Sequence, residues 1–331
     1  MGSVVLDIKM KRESKSFTDS LHAVLTAAGR FDGPKYRLSV LSGMAYKFTV
    51  HERLLPLSVT AYGQWGVEHG PAVDNLGVYT VWDGGRTRHP TFRYYQQDAV
   101  RSTKASLDRG VGAVYWIPEF GVIHGYDDGD RVFYVNNGWT EESGVLLYDN
   151  FGLNATPFWY VQWFGGKVEI DEREMTLESL RLALDDWETP YKTPPQTDIA
   201  SGRLAYTYLM QGLARDDFDE KGAVSIVDAF RASRTEIRDG LRDLAWTLPV
   251  LASAAELYGE LADVAADFGS CFAQRDGVRR VDRSRIGELI RLLDAALALE
   301  ERAMRRFREI SAEYPDPRRS VVPRWGAHIP R

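Results

Sequence analysis

The chain has 331 residues, 44% of them hydrophobic, and a formal net charge of −6. That length and apolar content are enough for a large core divided between two parts, and the charge gives no basic footprint for nucleic acid. No run of about 18 apolar residues reads as a membrane span, and the single cysteine, Cys271, excludes an intrachain disulfide and a zinc site built on several thiolates.

The first segment, 1–17, carries Lys9, Lys11, Arg12 and Lys15 without an apolar signal core, so a cytoplasmic protein is the expectation. A helix follows. Ser16, Thr18 and Asp19 are cap-forming residues, Leu21, Val24 and Leu25 make an apolar stripe, and Gly29 ends it. This reading puts Ser20 in the first helical turn. A nucleophile or oxyanion there feels the positive end of the helix dipole.

Short apolar runs rich in Val, Tyr, Phe and Trp then alternate with Gly, Pro, Asn and Asp clusters, the pattern of strands and turns. Leu76 to Trp82, Gly112 to Ile117, Val132 to Val135 and Phe158 to Phe164 are such runs. Within them, Glu119 to Asn137 predicts a hairpin. Phe120, Val122 and Ile123 form one strand, Asp127 to Asp130 the turn, and Val132 to Val135 the return. The hairpin holds Glu119 at one end and Asn137 at the other. Its acidic turn lacks the spaced Asp-x-Asp-x-Asp ligands and closing Glu of a calcium loop, so no metal site is read there.

Near residue 170 the composition changes to Ala, Leu, Arg and Glu at helical spacing. Met175 to Trp187 opens this region, with Thr176 as its cap. Three prolines in 189–196 mark a break. Helices are then expected over Gly202–Ala214, Gly222–Leu244, Pro249–Phe272 and Ser284–Tyr314. On the last, Leu289, Leu292, Leu293, Ala296, Leu299 and Met304 form the inner face, and Arg302, Arg305, Arg306 and Arg308 a solvated outer one. The proline-containing tail from Pro315 to Arg331 reads as extended. The expected organisation is an α+β domain over 1–170 and a helical domain over 171–331.

Three passages carry a resemblance to a known family. Ser20-Leu-His-Ala-Val-Leu-Thr-Ala-Ala-Gly29 is similar to a nucleophile helix. Leu38 to Phe48, with Gly43 and Tyr46, is similar to a glycine-containing segment, and Glu119 to Asn137 to a base-bearing hairpin. In this order they resemble the butirosin biosynthesis protein H N-terminal family, within the C39-like branch of papain-like peptidases. The helical stretch from Gly202 through Arg231 and Arg234 resembles the region that follows this domain in relatives.

The resemblance implies a papain-like fold that moves an acyl group from a carrier-protein thioester to an amine. It puts Ser20 on the nucleophile position, Glu119 on the base and Asn137 on the orienting residue, where cysteine and histidine would stand in the first two. His124 is a second candidate base. It lies an odd number of residues from Glu119, so on a regular strand the two face opposite sides, unless a bulge near Gly121 intervenes. Tyr46, Trp65 and Tyr126 are the candidate substrate-binding aromatics; Tyr62, Tyr79, Trp82, Tyr94, Tyr95, Tyr115 and Trp116 divide between core and cleft.

The functional expectation is acyltransferase-like or amide-bond chemistry on a small or carrier-bound acyl substrate, without a cysteine nucleophile, a cofactor or a metal. Direct attack of a bound amine, with Glu119 as base, is one route. The alternative is a catalytically inactive papain-like protein that binds a metabolite, peptide or carrier protein. Neither nucleic acid nor membrane is an expected partner, and pairing of two copies through the helical region is compatible with both readings.

Overall fold

The computed structural model describes residues 2–63, 65–117, 119–215 and 217–316. It divides into two compact units. One comprises the residues up to Leu38 together with Leu76–Glu169, the other Ser39–Asn75 together with the described residues from Ile170 onward. A change of unit therefore falls where the composition changes, near 170, but the segment 39–75 belongs with the helices that follow it.

In chain order the elements begin with β1 (Ser3–Val5), α1 (Ser16–Ala27), α2 (Lys35–Leu41), β2 (Thr49–His51) and α3 (Trp65–Asp74). Then come β3 (Val78–Arg86), α4 (Phe92–Asp108), β4 (Ala113–Ile117), β5 (Glu119–Asp127), β6 (Val132–Asn136), β7 (Gly144–Leu147) and β8 (Phe158–Lys167). The remainder is α5 (Glu172–Glu188), β9 (Ile199–Ser201), α6 (Arg203–Ala214), α7 (Glu220–Leu244), α8 (Ala252–Asp267), the hairpin β10 (Phe272–Arg275) and β11 (Val278–Val281), and α9 (Ile286–Glu313). The architecture is α+β.

The first unit is built on one sheet of order β3-β8-β4-β5-β6-β7, with β1 also on β5. Its pairings are antiparallel, which rules out a doubly wound parallel sheet. β5 is central because its neighbours change along its length. On one side Glu119–Ile123 pairs with β4 and Gly125–Asp127 with β1. At the change-over, the Leu6 N–H donates to the His124 carbonyl at 2.8 Å. On the other side the register with β6 slips between Ile123 and Gly125, so His124 is a bulge.

The sheet has a packed core on each face. Tyr115, Ile123, Tyr126, Phe133, Phe151, Trp159 and Trp163 join Phe92, Ala99 and Leu107 of α4. On the α1 side, Phe17 meets Phe120 edge-on at 5.4 Å, and Phe120 meets Trp116 at 5.1 Å. Such edge-to-face pairs add about 0.5–1.5 kcal/mol beyond their buried area.

In the second unit, β2 pairs with β9, and Phe48 packs against Tyr206 and Phe230 at 5.2 Å each. These contacts explain why 39–75 belongs with the helices. At the centre lies a buried ion pair. Arg234 Nη2 donates to both Glu300 oxygens at 2.9 and 2.8 Å, Tyr258 donates to the same carboxylate at 3.0 Å, and Tyr206 also donates to it. The guanidinium carbon lies 4.2 Å from the centre of the Phe230 ring. Glu300 thus occupies the inner face of α9, while Leu292 and Leu299 are only partly buried. The expected tail from Pro315 lies outside the described residues from 317 onward.

Candidate functional site

α1 begins one turn earlier than Ser20. Its first residue is Ser16, and Lys15 is the extended residue ahead of it. Ser20 is fully buried, and its hydroxyl donates to the Ser16 carbonyl at 2.7 Å and lies 3.5 Å from the Met10 sulfur. Ser16 is also buried, at 2% exposure, so what sets Ser20 apart is its bond: a hydroxyl bonded back to its own helix is a packing residue. The group at the helix N-terminus that meets the hairpin is Ser16, whose Oγ donates to Glu119 Oε2 at 2.5 Å. The sequence holds a signal for this register: Ser16-Phe-Thr-Asp19 has the Ser-x-x-acid spacing of a helix start.

The turn ahead of Ser16 is held rigidly. Asp19, buried in α1, accepts from the Glu13 N–H at 3.1 Å and the Ser14 N–H at 3.3 Å, and pairs with Lys35 at 2.9 Å. Lys35 also donates to the Ser14 hydroxyl. This anchoring fixes Arg12, four residues before Ser16. Its Nε donates to the Asn137 carbonyl at 2.7 Å and its Nη2 to the Phe120 carbonyl at 3.0 Å. Its Nη1 stands 3.8 Å from Glu119 Oε2, and the exposed ring of Trp139 lies against its guanidinium at 5.5 Å. Burial lowers the Arg12 pKa, and Glu119 and Asp19 oppose that; an arginine remains cationic at neutral pH.

Glu119 is the titratable centre of this group. Burial raises its carboxyl pKa, while the Ser16 hydroxyl and the Arg12 charge act to lower it. Its side chain keeps 41% of its surface open, so solvent screening limits the shift. The arrangement is a serine O–H donating to a carboxylate at the positive end of a helix, with a cation alongside. Asn137 takes part through its backbone only. Its Oδ1 accepts from the Trp139 N–H at 3.1 Å, closing its own turn, and no hydrogen bond joins that side chain to Glu119 among the described residues.

His124 occupies a different environment. The bulge, at His124 itself rather than near Gly121, alters the alternation on which the opposite-face expectation rested. The ring bonds Ser143 Oγ through Nε2 at 3.0 Å, and burial lowers its pKa. The aromatics expected at a substrate site are dispersed. Tyr126 is a core residue of the first unit, donating to Asp108 at 2.7 Å. Tyr46 is buried in the second unit between the rings of Tyr258 and Phe307, at 6.4 and 5.7 Å. Trp65, also in the second unit, is half-buried and donates from its indole to the Thr60 carbonyl at 2.8 Å. Of the other aromatics, Tyr62, Tyr115 and Trp116 are buried and Tyr79, Tyr94 and Tyr95 exposed.

Ser16 as a reacting group, Arg12 as its neighbouring cation, and Ser143 are what reading the sequence did not single out. Ser143 lies in a polar loop between β6 and β7, where no periodicity marks it. Among the described residues, no helix is long and apolar enough to cross a membrane, and no group of three or more His, Cys, Asp or Glu side chains could hold a metal ion. No protein-family model matches the chain, and no curated protein matches it significantly.

Proposed function

We propose that the chain is an acyl-transfer or amide-chemistry enzyme of papain-like type, working on a small or carrier-bound acyl substrate through Ser16 and Glu119. The observation that carries this reading is the 2.5 Å hydrogen bond from Ser16 Oγ to Glu119 Oε2 at the N-terminus of α1. A serine needs an adjacent base because its own pKa is far too high. Here the base is in contact, and its carboxyl is lifted toward a more useful range.

In the proposed reaction, Ser16 Oγ attacks a thioester carbonyl and passes its proton to Glu119. The carbon–sulfur bond breaks, and the thiol leaves with that proton. An amine then attacks the acyl carbon and gives a proton to Glu119; the bond to Ser16 Oγ breaks, the amide departs, and Ser16 takes that proton back from Glu119. The helix dipole favours the negative charge that develops at each addition step. The resemblance of the helix, glycine segment and hairpin to the butirosin biosynthesis protein H N-terminal family supports the choice of acyl chemistry.

A second reading is favoured by Arg12 and Asn137. A cation 3.8 Å from Glu119 opposes its raised pKa, and the Asn137 side chain supplies no third member. These features suit a protein that binds an acyl compound, peptide or carrier protein here without turning it over.

Incubation of the full chain with synthetic acyl-thioesters and amines, read by mass spectrometry, separates the two. Glu119→Gln is expected to lower kcat at least about a hundredfold with binding nearly unchanged. Ser16→Ala should remove the acyl-enzyme, and Ser20→Ala should have little effect. Parent-like turnover by both Ser16→Ala and Glu119→Gln would exclude this site as the centre of catalysis. Binding of the thioester without turnover by the parent would favour the second reading.

A further inference from the structure

A groove of about 690 Å3 runs along the extended segment that follows β1 and is closed on the other side by the loop between β6 and β7. Its lining is mixed: Val5, Leu6, Ile8, Met10 and Trp139 are apolar, charged residues of the same segment and loop alternate with them, and His124 and Ser143 are also part of it. These last two residues lie 19 positions apart in the chain, along the consecutive strands β5, β6 and β7. His124 is the β5 bulge at the change from β4 to β1, and Ser143 is an exposed residue immediately before β7. Their Nε2–Oγ distance is 3.0 Å. Neither residue is needed for the Ser16–Glu119 chemistry.

We infer that this groove is a second nucleophilic site, in which Ser143, with His124 as its base, cleaves carboxylic esters that carry an apolar acyl chain. Three observations converge. Nucleophile and base are within hydrogen-bond reach, the geometric requirement for activating a serine. The serine is exposed, so an ester can approach it, while the histidine is 7% exposed and held by the strand. The apolar part of the lining suits an acyl chain.

Burial also keeps the imidazole neutral, the form in which Nε2 can accept a proton; the Leu6 backbone acts in the opposite direction.

The reaction balances with water as co-reactant. Ser143 Oγ attacks the ester carbonyl as its proton moves to His124 Nε2. The bond from carbonyl carbon to alkoxy oxygen breaks, and the alcohol leaves with that proton, giving acyl-Ser143. His124, neutral again, takes a proton from water as the water oxygen attacks the acyl carbon. The bond to Ser143 Oγ breaks, the serine recovers a proton, and the carboxylic acid departs.

The test treats the full chain with a serine-directed fluorophosphonate and with 4-nitrophenyl esters of increasing acyl length. The adduct is mapped by peptide mass spectrometry. The expected result is an adduct on Ser143, faster hydrolysis of longer acyl chains, and loss of both in Ser143→Ala. His124→Gln should slow labelling at least about a hundredfold. Should that variant fold poorly by near-ultraviolet circular dichroism, the pH profile of the parent decides. Labelling should rise with pH about a midpoint below histidine's ordinary range.

Modification at Ser16 alone would overturn the inference while leaving the Ser16–Glu119 reading intact. Labelling no faster than in the denatured chain would overturn it too, as would a flat pH profile or parent-like labelling of a folded His124→Gln. Failure of thioester transfer at Ser16 with Ser143 still labelled would count against only the earlier reading.

Discussion

At the scale of single residues, Glu119 links the chemistry of the site to pH. Its carboxyl pKa is raised by burial, and only the ionised form can take the Ser16 proton. Transfer through Ser16 should therefore be weak at acid pH and rise about a midpoint above glutamate's ordinary value, and that limb should be absent in Glu119→Gln. The effect on stability has the opposite sign. The folded state holds this proton more tightly than the unfolded state does. Its contribution is present below the unfolded pKa and is lost as pH rises through the folded one. Denaturant titrations at several pH values should show a smaller decline across that window in Glu119→Gln than in the parent. Cys271 gives a separate check. It is fully buried, and burial raises its pKa, so iodoacetamide should leave native activity largely intact. Loss of most activity in Cys271→Ser would contradict a cysteine-free mechanism.

At the scale of elements, the start of α7 is a tight joint. Asp219 caps it by accepting from the Gly222 N–H at 2.6 Å. A Cβ at Gly222 would lie 1.8 Å from the Leu54 carbonyl oxygen, and Leu54 itself has a φ of 53°. Backbone cannot move aside as a side-chain end can, so Gly222→Ala should destabilise by about 3 kcal/mol, read as a lower denaturant midpoint. Gly287, in the first turn of α9, has nothing within 4 Å of such a Cβ. Gly287→Ala should be neutral or stabilise by up to about 1 kcal/mol.

Strongly apolar elements were legible. The runs in β4, β6 and β8, and the apolar stripes of α6, α7 and α9, announce themselves by period. The helix α4 did not, because much of its buried face is Ala99, Thr103 and Ser106 rather than large apolar residues. The pair β10 and β11 was hidden for a related reason: Phe272-Ala-Gln-Arg and Val278-Arg-Arg-Val form a short, partly exposed hairpin inside a helical composition.

At the scale of the whole molecule, the ion pair of Arg234 and Glu300 is the feature on which most depends in the second unit. Both side chains are almost fully buried, at 1% and 0% exposure. Removing one partner leaves the other charged and unpaired in the interior. Glu300→Leu should therefore cost about 3–5 kcal/mol. A double replacement with Arg234→Met should recover much of that loss, since well-packed apolar residues can replace a buried pair. Chemical denaturation of the two single variants and the double variant measures this directly; additive losses would show that the pair is not coupled.

The sequence by itself determined the α+β composition, the compositional change near 170, the hairpin within Glu119 to Asn137 and the presence of a helix ending near Gly29. These follow from local periodicity, turn chemistry and capping, which act over a few residues. Only the tertiary structure decided that Ser16 rather than Ser20 meets Glu119. One turn of helix register separates the two, and the contact with β5 decides which hydroxyl faces the carboxylate. It also decided that 39–75 belongs with the helices, because Phe48 finds its partners in Tyr206 and Phe230. The pairing of His124 with Ser143 arises in the same way, from a bulge formed where one strand partner of β5 replaces another. Contacts between residues far apart in the chain leave no period behind, and packing alone selects among the registers that local chemistry permits.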